Sequence, residues 1–147
     1  MIDYINEISV ADYNALRVAV GWQAIKANRA QIGLNNSAYL VAARLDDGRV
    51  IATARVISDG GYVMYIADVI VHPEYQGQSI GKTMMQKIMD YINSTLEEDF
   101  AAYACLMAAK GKEPFYNKFG FIKRPNETFG AGMFQLISTK KGEDKDE

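Results

Sequence analysis

The feature that most constrains the fold is a predicted strand, loop, helix and strand in direct succession. Residues Tyr62–Val71 are rich in β-branched and aromatic side chains, which is typical of a strand. A loop of small and polar residues follows, and then apolar residues recur at helical spacing: Ile80, Met84, Ile88 and Ile92. The apolar run Phe100–Ala108 predicts a second strand. Because such a crossover joins parallel strands of one sheet, the sequence predicts a right-handed βαβ unit.

The residues before this unit predict one more strand and two helices. The strand is Ile2–Ile8. Ser9, three positions before Asp12, predicts the start of the first helix, because a serine hydroxyl accepts hydrogen bonds from free N–H groups of a first helical turn. A second helix is predicted over Ala24–Ile32.

A hairpin is predicted between these helices and the βαβ unit. Its strands are Ala38–Leu45 and Val50–Ile57, and the turn between them contains Asp47 and Gly48. Asp-Gly is a strong hairpin signal, since glycine adopts positive φ without steric cost. Together with Tyr62–Val71, these two strands predict an antiparallel meander.

The C-terminal third predicts a short helix and a last β segment. Pro114 is suited to the first turn of the helix and Gly120 to its end. The β segment is predicted over Ile122–Ile137. The element order is then β-α-α-β-β-β-α-β-α-β. The predicted fold class is α/β (mixed α+β), with a mostly antiparallel central sheet that contains the βαβ unit and is flanked by helices.

Length and composition predict one domain. The chain has 147 residues, of which 49% are hydrophobic and 23% charged, and this length suits one core better than two. We expect a single domain over residues 1–138 and a charged, disordered tail over residues 139–147, because the sequence from Lys140 to Glu147 has no apolar side chain.

The same composition disfavours several kinds of partner. A formal net charge of -2 gives no basic excess for nucleic acid. One cysteine, Cys105, and one histidine, His72, cannot form a thiolate or histidine metal cage. Cys105 lies inside an apolar run and is expected to be a core residue. With no apolar run of about 20 residues and no signal-peptide pattern at the start, we expect a cytoplasmic protein that does not bind membranes.

The loop Gln76–Lys82 has the chemistry of an anion site. Small residues before a helix let backbone N–H groups approach a phosphate, and the helix dipole favours negative charge there. An ordinary strand-to-helix connection is one alternative. A P-loop is another, because Gly81-Lys82-Thr83 has the expected ending, but the first glycine of that motif would fall at position 76, which is Gln.

The loop resembles the acyl-CoA signature of the GNAT N-acetyltransferase superfamily, written [RQ]-x-x-G-x-[GA]. Gln76 and Gly81 match its first and last positions, and Ser79 stands where glycine is usual. Two further segments resemble the family: Val69–Tyr75 is similar to its strand and V-x-P-E-Y lead-in, and Phe115–Phe121 to its F-Y-x-K-x-G-F. The resemblance extends over residues 2–137 and includes the element order.

The resemblance implies that acetyl-CoA is the cosubstrate and lies where two parallel strands splay apart. Its pantetheine would pair with the strand before the loop, an N–H near Ile70 or Val71 would polarise the thioester carbonyl, and the loop N–H groups would hold the pyrophosphate. The cofactor-binding residues implied in this way are Val69, Ile70, Val71, Gln76, Gly77, Gln78, Ser79, Ile80, Gly81, Lys82 and Phe115.

The implied reaction is direct attack of a neutral primary amine on the thioester. Tyr116 is the implied general acid that protonates the leaving thiolate, because a phenol pKa of about 10 is close enough to a thiol pKa of about 8.5. The general base stays open between Asp68, His72 and water. By strand alternation, Asp68 is expected on the face opposite to Tyr65 and Ala67, which occupy the positions where the family often places a base.

The acceptor stays open as well. Trp22, Arg55 and Tyr65 are candidate substrate residues, and the Gly130–Met133 segment is a further candidate. The acceptor is expected to be a small-molecule or peptide amine, and a homodimer is an expected arrangement. The rival functions are a non-catalytic acyl-CoA-binding or sensing domain, motivated by the missing base and by Ser79, and an interaction module with no enzyme activity.

Overall fold

The computed structural model describes residues 1–139, and the predicted tail from Lys140 onward lies outside them. The chain divides into two compact units, Met1–Met107 and a second that begins at Ala108. The predicted single domain over residues 1–138 stays a prediction. The first unit contains five strands and three helices in the described residues: β1 (Ile2–Ile5), α1 (Val10–Ala19), α2 (Ala27–Asn35), β2 (Tyr39–Leu45), β3 (Val50–Ile57), β4 (Val63–Val71), α3 (Ile80–Ser94) and β5 (Tyr103–Leu106).

The five strands form one mixed sheet in the order β1-β2-β3-β4-β5. The first four strands pair antiparallel. β4 and β5 pair parallel, with Val63 opposite Tyr103 and Ile66 opposite Leu106. The predicted meander, the βαβ unit and the mixed α/β fold class are therefore confirmed.

Helices cover both faces of the sheet. The buried stripe of α3, which includes Met84, Met85 and Ile88, packs against β2, β3 and β4. On the other face, Tyr13 and Leu16 of α1 are buried against β3 and β4. Both helices show the spacing of apolar residues that places one stripe on a core, as the sequence predicted for Ile80, Met84, Ile88 and Ile92.

The predicted ends of several elements differ from the structure. β1 ends at Ile5 rather than Ile8, and α2 spans Ala27–Asn35 rather than Ala24–Ile32. β5 is limited to Tyr103–Leu106, within the predicted run Phe100–Ala108. Apolar content indicates which residues prefer burial, whereas the length of a strand depends on how many of its residues pair with a neighbouring strand.

The second unit contains α4 (Glu113–Asn117). The last β segment predicted over Ile122–Ile137 is wrong, because residues 122–139 form no strand in the structure. A strand needs a neighbour for its N–H and C=O groups, and the ladders of the described residues end with β5. Ile122 and Met133, apolar residues of this segment, are 78% and 88% exposed.

None of the helices within residues 1–139 is both long and apolar enough to cross a bilayer.

Candidate active site

The number of strands that pair with β4 changes along its length. Val63–Ile66 pairs with β5, Tyr65 and Ile66 pair with β3 as well, and the ladder with β5 ends at Ile66 opposite Leu106. From Ala67 to Val71 the strand continues to pair with β3. The edge of β4 beyond Ile66 therefore forms a gap next to β5, as the resemblance implied for acetyl-CoA.

The direction of the main chain in this gap differs between Ile70 and Val71. The N–H of His72 donates to the carbonyl of Ile51 on β3 at 2.8 Å. Because successive residues of a strand alternate in the side to which N–H and C=O point, Val71 directs both groups away from β3, whereas Ile70 directs them toward it. Of the two residues named for polarising a thioester, the geometry favours Val71.

A β-bulge begins the gap. Arg55 of β3 pairs with Ala67 and Thr53 pairs with Ile70, so β4 has one residue more than β3 over this stretch. Asp68 lies within it with φ 54°, a left-handed conformation that is uncommon for any residue other than glycine. A bulge bends its strand and turns a side chain to a different face.

The predicted face of Asp68 is therefore wrong. Its carboxylate bonds Arg55, whose strand partner is Ala67, so Asp68 lies on the same face as Ala67 rather than opposite to it. Strand alternation holds only where each residue has one partner, and the extra residue of the bulge breaks it.

The carboxylate of Asp68 is the centre of a half-buried polar network under α1. Its Oδ2 accepts hydrogen bonds from the hydroxyl of Tyr13 and from Nε of Arg55, each at 2.8 Å. Its Oδ1 accepts from Nη1 of Arg17 at 3.2 Å. Arg55 also donates from Nη1 to the carbonyl of Gly33, at 2.9 Å. With both oxygens engaged by fixed donors, Asp68 has the geometry of a structural carboxylate rather than a base.

His72, the second candidate base, is also engaged. Its Nδ1 accepts the N–H of Glu74 at 3.1 Å, at the start of the 3-10 turn Pro73–Tyr75. The Nδ1 lone pair is therefore occupied by a main-chain donor. Neither side chain is arranged as a general base, so water remains of the three candidates.

The predicted phosphate loop ends in an open helix start. Gly77 has φ 79° and Ser79 has φ 64°, and α3 begins directly after Ser79. The Ser79 side chain makes no capping hydrogen bond. Because an α-helix offers its first N–H groups no acceptor of its own, those of Ile80, Gly81 and Lys82 are available to an anion.

The polar side chains of the loop fix its entry and add charge. Nε2 of Gln76 donates to the carbonyl of Val71 at 3.0 Å, which ties the loop back to the end of β4. Lys82 is exposed in the first turn of α3. Gln78 is exposed as well. The loop and the gap along β4 are therefore continuous parts of one chain segment.

Two concavities of the first unit lie elsewhere. One, of about 380 Å³, is lined by residues of α2 and β2 that include Gln31 and Tyr39. The other, of about 220 Å³, is lined by residues that include Met64 and Tyr91. The loop Gln76–Lys82 lines neither of them. The candidate cofactor site consists of a strand edge and a helix start.

Tyr116 and Phe115 belong to α4 in the second unit. Their rings pack edge to face with centroids 5.0 Å apart, and the Tyr116 ring is 6.4 Å from that of Phe121. Burial raises the pKa of the Tyr116 phenol above its ordinary value of 10.0. A raised phenol pKa keeps the proton on Tyr116 at neutral pH, which is the state that a general acid needs.

The three candidate substrate residues have different environments. Trp22 is 38% exposed, and its ring lies 5.3 Å from the guanidinium of Arg17. Arg55 is part of the Asp68 network. Tyr65 lies opposite Cys105 on β5, and burial, followed by the nearby Cys105 and Asp68, raises the pKa of its phenol. Trp22 and Arg55 both contact groups of this network.

The sequence did not identify Tyr13 and Arg17 as part of this network. Tyr13 is a buried residue of α1. The sequence does contain a signal for this pair, because an arginine four residues after a tyrosine places both side chains on one helix face. Cys105, expected in the core, is half-buried, and burial raises the pKa of its thiol.

Comparisons with known proteins agree with this geometry. Residues 3–121 match the sequence profile described as "Acetyltransferase (GNAT) family". An N-acetyltransferase named ycf52 from Porphyra purpurea is 30% identical over 130 residues, which cover 86% of this chain and 71% of that protein. A protein named histone acetyltransferase TAP1, from Glycine max, is 33% identical over 139 residues, which cover 87% of this chain and 57% of that protein.

A solved structure is similar over nearly the whole chain. It is a probable acetyltransferase of unknown function from meticillin-resistant Staphylococcus aureus. It superposes with a TM-score of 0.82 at 35% sequence identity, and the match covers 93% of this chain and all of that one, 100%.

Proposed function

The chain belongs to the acetyltransferase (GNAT) family and is an acetyl-CoA-dependent N-acetyltransferase, and from this premise we propose that it transfers the acetyl group directly to a primary amine. The observation that carries the proposal is the continuity of two features. A stretch of β4 that pairs with β3 on one edge, and with no strand of the described residues on the other, leads through the Gln76–Lys82 loop into a helix start without a side-chain cap. Together they match an elongated ligand with a peptide-like arm and a diphosphate.

The diphosphate of acetyl-CoA binds at the start of α3. The N–H groups of Ile80, Gly81 and Lys82 point out of the first helical turn, and the helix dipole adds partial positive charge there. The exposed Lys82 side chain adds a full charge. Gly77, with φ 79°, turns the loop so that its main chain reaches the ligand without a side chain in between.

The pantetheine arm pairs with the open edge of β4 as an added strand. Val71 supplies the main-chain groups that face away from β3, and its N–H is the donor that polarises the thioester carbonyl. Such a donor stabilises a developing oxyanion by about 3 to 4 kcal/mol in other enzymes. The Val71 carbonyl already accepts from Gln76, which holds this residue in place.

In the chemical step, the lone pair of the neutral amine attacks the thioester carbon and the carbonyl oxygen becomes negative. The C–S bond of the tetrahedral intermediate then breaks, and the sulfur takes the proton of the Tyr116 hydroxyl. The amine proton leaves to water, because His72 and Asp68 are both engaged in hydrogen bonds, and water returns a proton to the Tyr116 phenolate. The products are an amide and the free thiol of CoA.

The acceptor is a primary amine of a small molecule, a lysine or a protein N-terminus. The relative from Glycine max is named a histone acetyltransferase, so lysine-containing peptides form the first arm of a substrate screen. Small polyfunctional amines form the second arm. Release of CoA thiol in one arm alone would identify the acceptor class.

The first experiment measures binding and turnover separately. We expect acetyl-CoA to raise the melting temperature of the purified protein and to give a saturable heat in calorimetry. With an acceptor amine, free thiol accumulates in proportion to amide. Binding without turnover across both arms would support the rival proposal of an acyl-CoA-binding domain, and absence of binding would contradict both.

The role of Tyr116 is tested by Tyr116→Phe, with Tyr62→Phe as control because Tyr62 is exposed in the first unit. We expect Tyr116→Phe to lower kcat by about 100-fold or more, with the acetyl-CoA dissociation constant within about threefold. Because burial raises the Tyr116 pKa, the wild-type rate falls only at pH values above the ordinary phenol pKa, and that alkaline limb disappears in the variant. Equal turnover would remove Tyr116 from this role.

A further inference from the structure

We propose that Asp68 is a positioning residue for acetyl-CoA, and that its carboxylate holds the β4 bulge in the form that presents Val71 to the cofactor. The inference rests on the proposed function, because it presumes that the pantetheine arm binds along β4. It adds a polar network that is remote from the loop motif and reaches across two helices and two strands.

The backbone of Asp68 has an unfavourable conformation. A residue with a side chain adopts φ 54° at a cost in energy, and aspartate tolerates this conformation better than most. Such conformations persist where surrounding contacts over-determine them, and they concentrate at functional sites. At Asp68 the contacts are three donors to one carboxylate.

The three donors to the Asp68 carboxylate come from two different elements. Tyr13 and Arg17 both come from α1 and reach Asp68 at 2.8 and 3.2 Å. Arg55 comes from β3 and reaches it at 2.8 Å. The side chains of Arg17, Arg55 and Asp68 are only 15 to 16% exposed. Charged hydrogen bonds at this burial are stronger than those on an open surface, so the carboxylate is fixed from two directions.

The two arginine donors are held in place by further contacts. Arg17 donates from Nε to the carbonyl of Gln23, and its guanidinium lies over the rings of Tyr13 and Trp22. Arg55 donates to the carbonyl of Gly33 in α2 and to the hydroxyl of Ser37. The donors are thus held by α1, by the connection to α2 and by the end of α2. The network transmits the position of these elements to the bulge.

The bulge determines which main-chain groups face the cofactor edge, that is, the outer edge of β4 beyond Ile66. The bulge falls between Ile66, where the ladder with β5 ends, and Ile70, where regular pairing with β3 resumes. Its extra residue resets which main-chain groups face the gap. Without it, Val71 and Ile70 would exchange their directions, and the N–H that polarises the thioester would point into the sheet. The conformation of Asp68 therefore sets the register of the cofactor edge.

The test compares two ligands in the intact protein. Acetyl-CoA contacts both the loop and the β4 edge, whereas 3′-phospho-ADP, its nucleotide half, lacks the pantetheine arm. Asp68→Asn keeps the size of the side chain and a residue type that tolerates left-handed backbone, but it removes the charge that holds two arginines. We expect the dissociation constant for acetyl-CoA to rise about 10- to 100-fold, while that for 3′-phospho-ADP changes less than about twofold.

A second variant and a matched control distinguish an effect on the bulge from a general loss of folded protein. Tyr13→Phe removes one donor and leaves both arginines, and we expect acetyl-CoA to bind about three- to tenfold more weakly with the nucleotide unaffected. The matched control is Asp3→Asn, which removes the charge of an exposed Asp-Arg pair on the same sheet, 2.9 Å from Arg44. It is expected to leave both dissociation constants unchanged.

The ratio of the two dissociation constants decides the proposal. A structural role alone would weaken both ligands together or neither, and either result in Asp68→Asn and Tyr13→Phe would overturn it. A rise confined to acetyl-CoA supports it. If wild-type protein binds 3′-phospho-ADP but gains nothing from the pantetheine arm, the proposed cofactor site along β4 fails and the positioning role fails with it, a result distinct from failure of the variants alone.

Discussion

Two helices of the first unit begin after a serine, and the two serines behave differently. Ser9 precedes α1 in an extended conformation, φ -75° and ψ 156°, and its hydroxyl accepts the N–H of Asp12 at 3.0 Å. Ser79 precedes α3 in the left-handed conformation, φ 64° and ψ 15°, and its side chain caps nothing. The same residue type therefore closes one helix start and leaves the other open.

The difference shows that the backbone conformation before a helix, and not the residue type there, decides whether its first N–H groups are capped. A serine with extended backbone caps its helix and gains about 1 kcal/mol. In the Gln76–Lys82 loop, positive φ at Gly77 and Ser79 brings the chain into α3 from another direction. The stability that a cap would supply is absent there, and the N–H groups remain available for the diphosphate that we propose.

The largest difference between the two helix starts is expected for Lys82→Glu. Placing a negative charge beside the diphosphate site should weaken acetyl-CoA binding by about 10- to 100-fold at low salt, and less at high salt. Calorimetry at two salt concentrations measures both effects. Lys26→Glu is the control, because Lys26 is exposed at the N-cap of α2. Equal weakening by both variants would show a general charge effect and no site at α3.

A second effect follows from the backbone of Gly77. Gly77→Ala forces a side chain into φ 79°, which costs about 1 to 2 kcal/mol of unfolding free energy and also shifts the loop. Gly48→Ala in the β2–β3 turn is matched, because Gly48 has φ 92° and, like Gly77, has open space where a Cβ would be. Urea unfolding should show similar losses, while only Gly77→Ala weakens acetyl-CoA binding. A loss of affinity in both would break the comparison.

A third variant removes the cap at α1. Ser9→Ala leaves the N–H of Asp12 without its acceptor, and we expect the free energy of unfolding to fall by about 1 kcal/mol. Acetyl-CoA affinity should change little, because the free N–H groups of this helix start face no ligand and the hydrogen bonds from Tyr13 and Arg17 to Asp68 remain. Urea unfolding and calorimetry on the same preparation check the two statements. A fall in affinity without a fall in stability would contradict the division between closed and open helix starts.

The smallest effect is expected for Ser79→Gly. Glycine adopts φ 64° freely, but it also gains freedom in the unfolded chain, so stability should change by less than about 0.5 kcal/mol. The main-chain N–H groups remain, and acetyl-CoA affinity should stay within about threefold. A large loss of affinity would mean that the Ser79 hydroxyl, and not the main chain alone, binds the ligand.

Local patterns predicted much of the first unit. The Ser9 cap, the Asp47-Gly48 hairpin and the stripe of α3 depend on neighbours within a few residues, and the structure has all three. The open start of α3 was predicted as well, since the signal is the sequence of the loop itself.

Features that depend on distant partners were not predicted. The bulge at Asp68 depends on Tyr13 and Arg17 of α1 and on Arg55 of β3, which are distant from it in the sequence, so alternation along β4 gave the wrong face. The last β segment, predicted over Ile122–Ile137, has no strand partner among the described residues. The acceptor depends on the shape of a surface, which no short motif encodes.

The most direct test of the central claim observes the two helix starts together in a titration of ¹⁵N-labelled protein with 3′-phospho-ADP. We expect the amide resonances of Ile80, Gly81 and Lys82 to shift on binding, while those of Asp12 and Tyr13 at the start of α1 do not. Unchanged resonances at α3 at ligand concentrations that saturate the protein, or equal shifts at both helix starts, would contradict it.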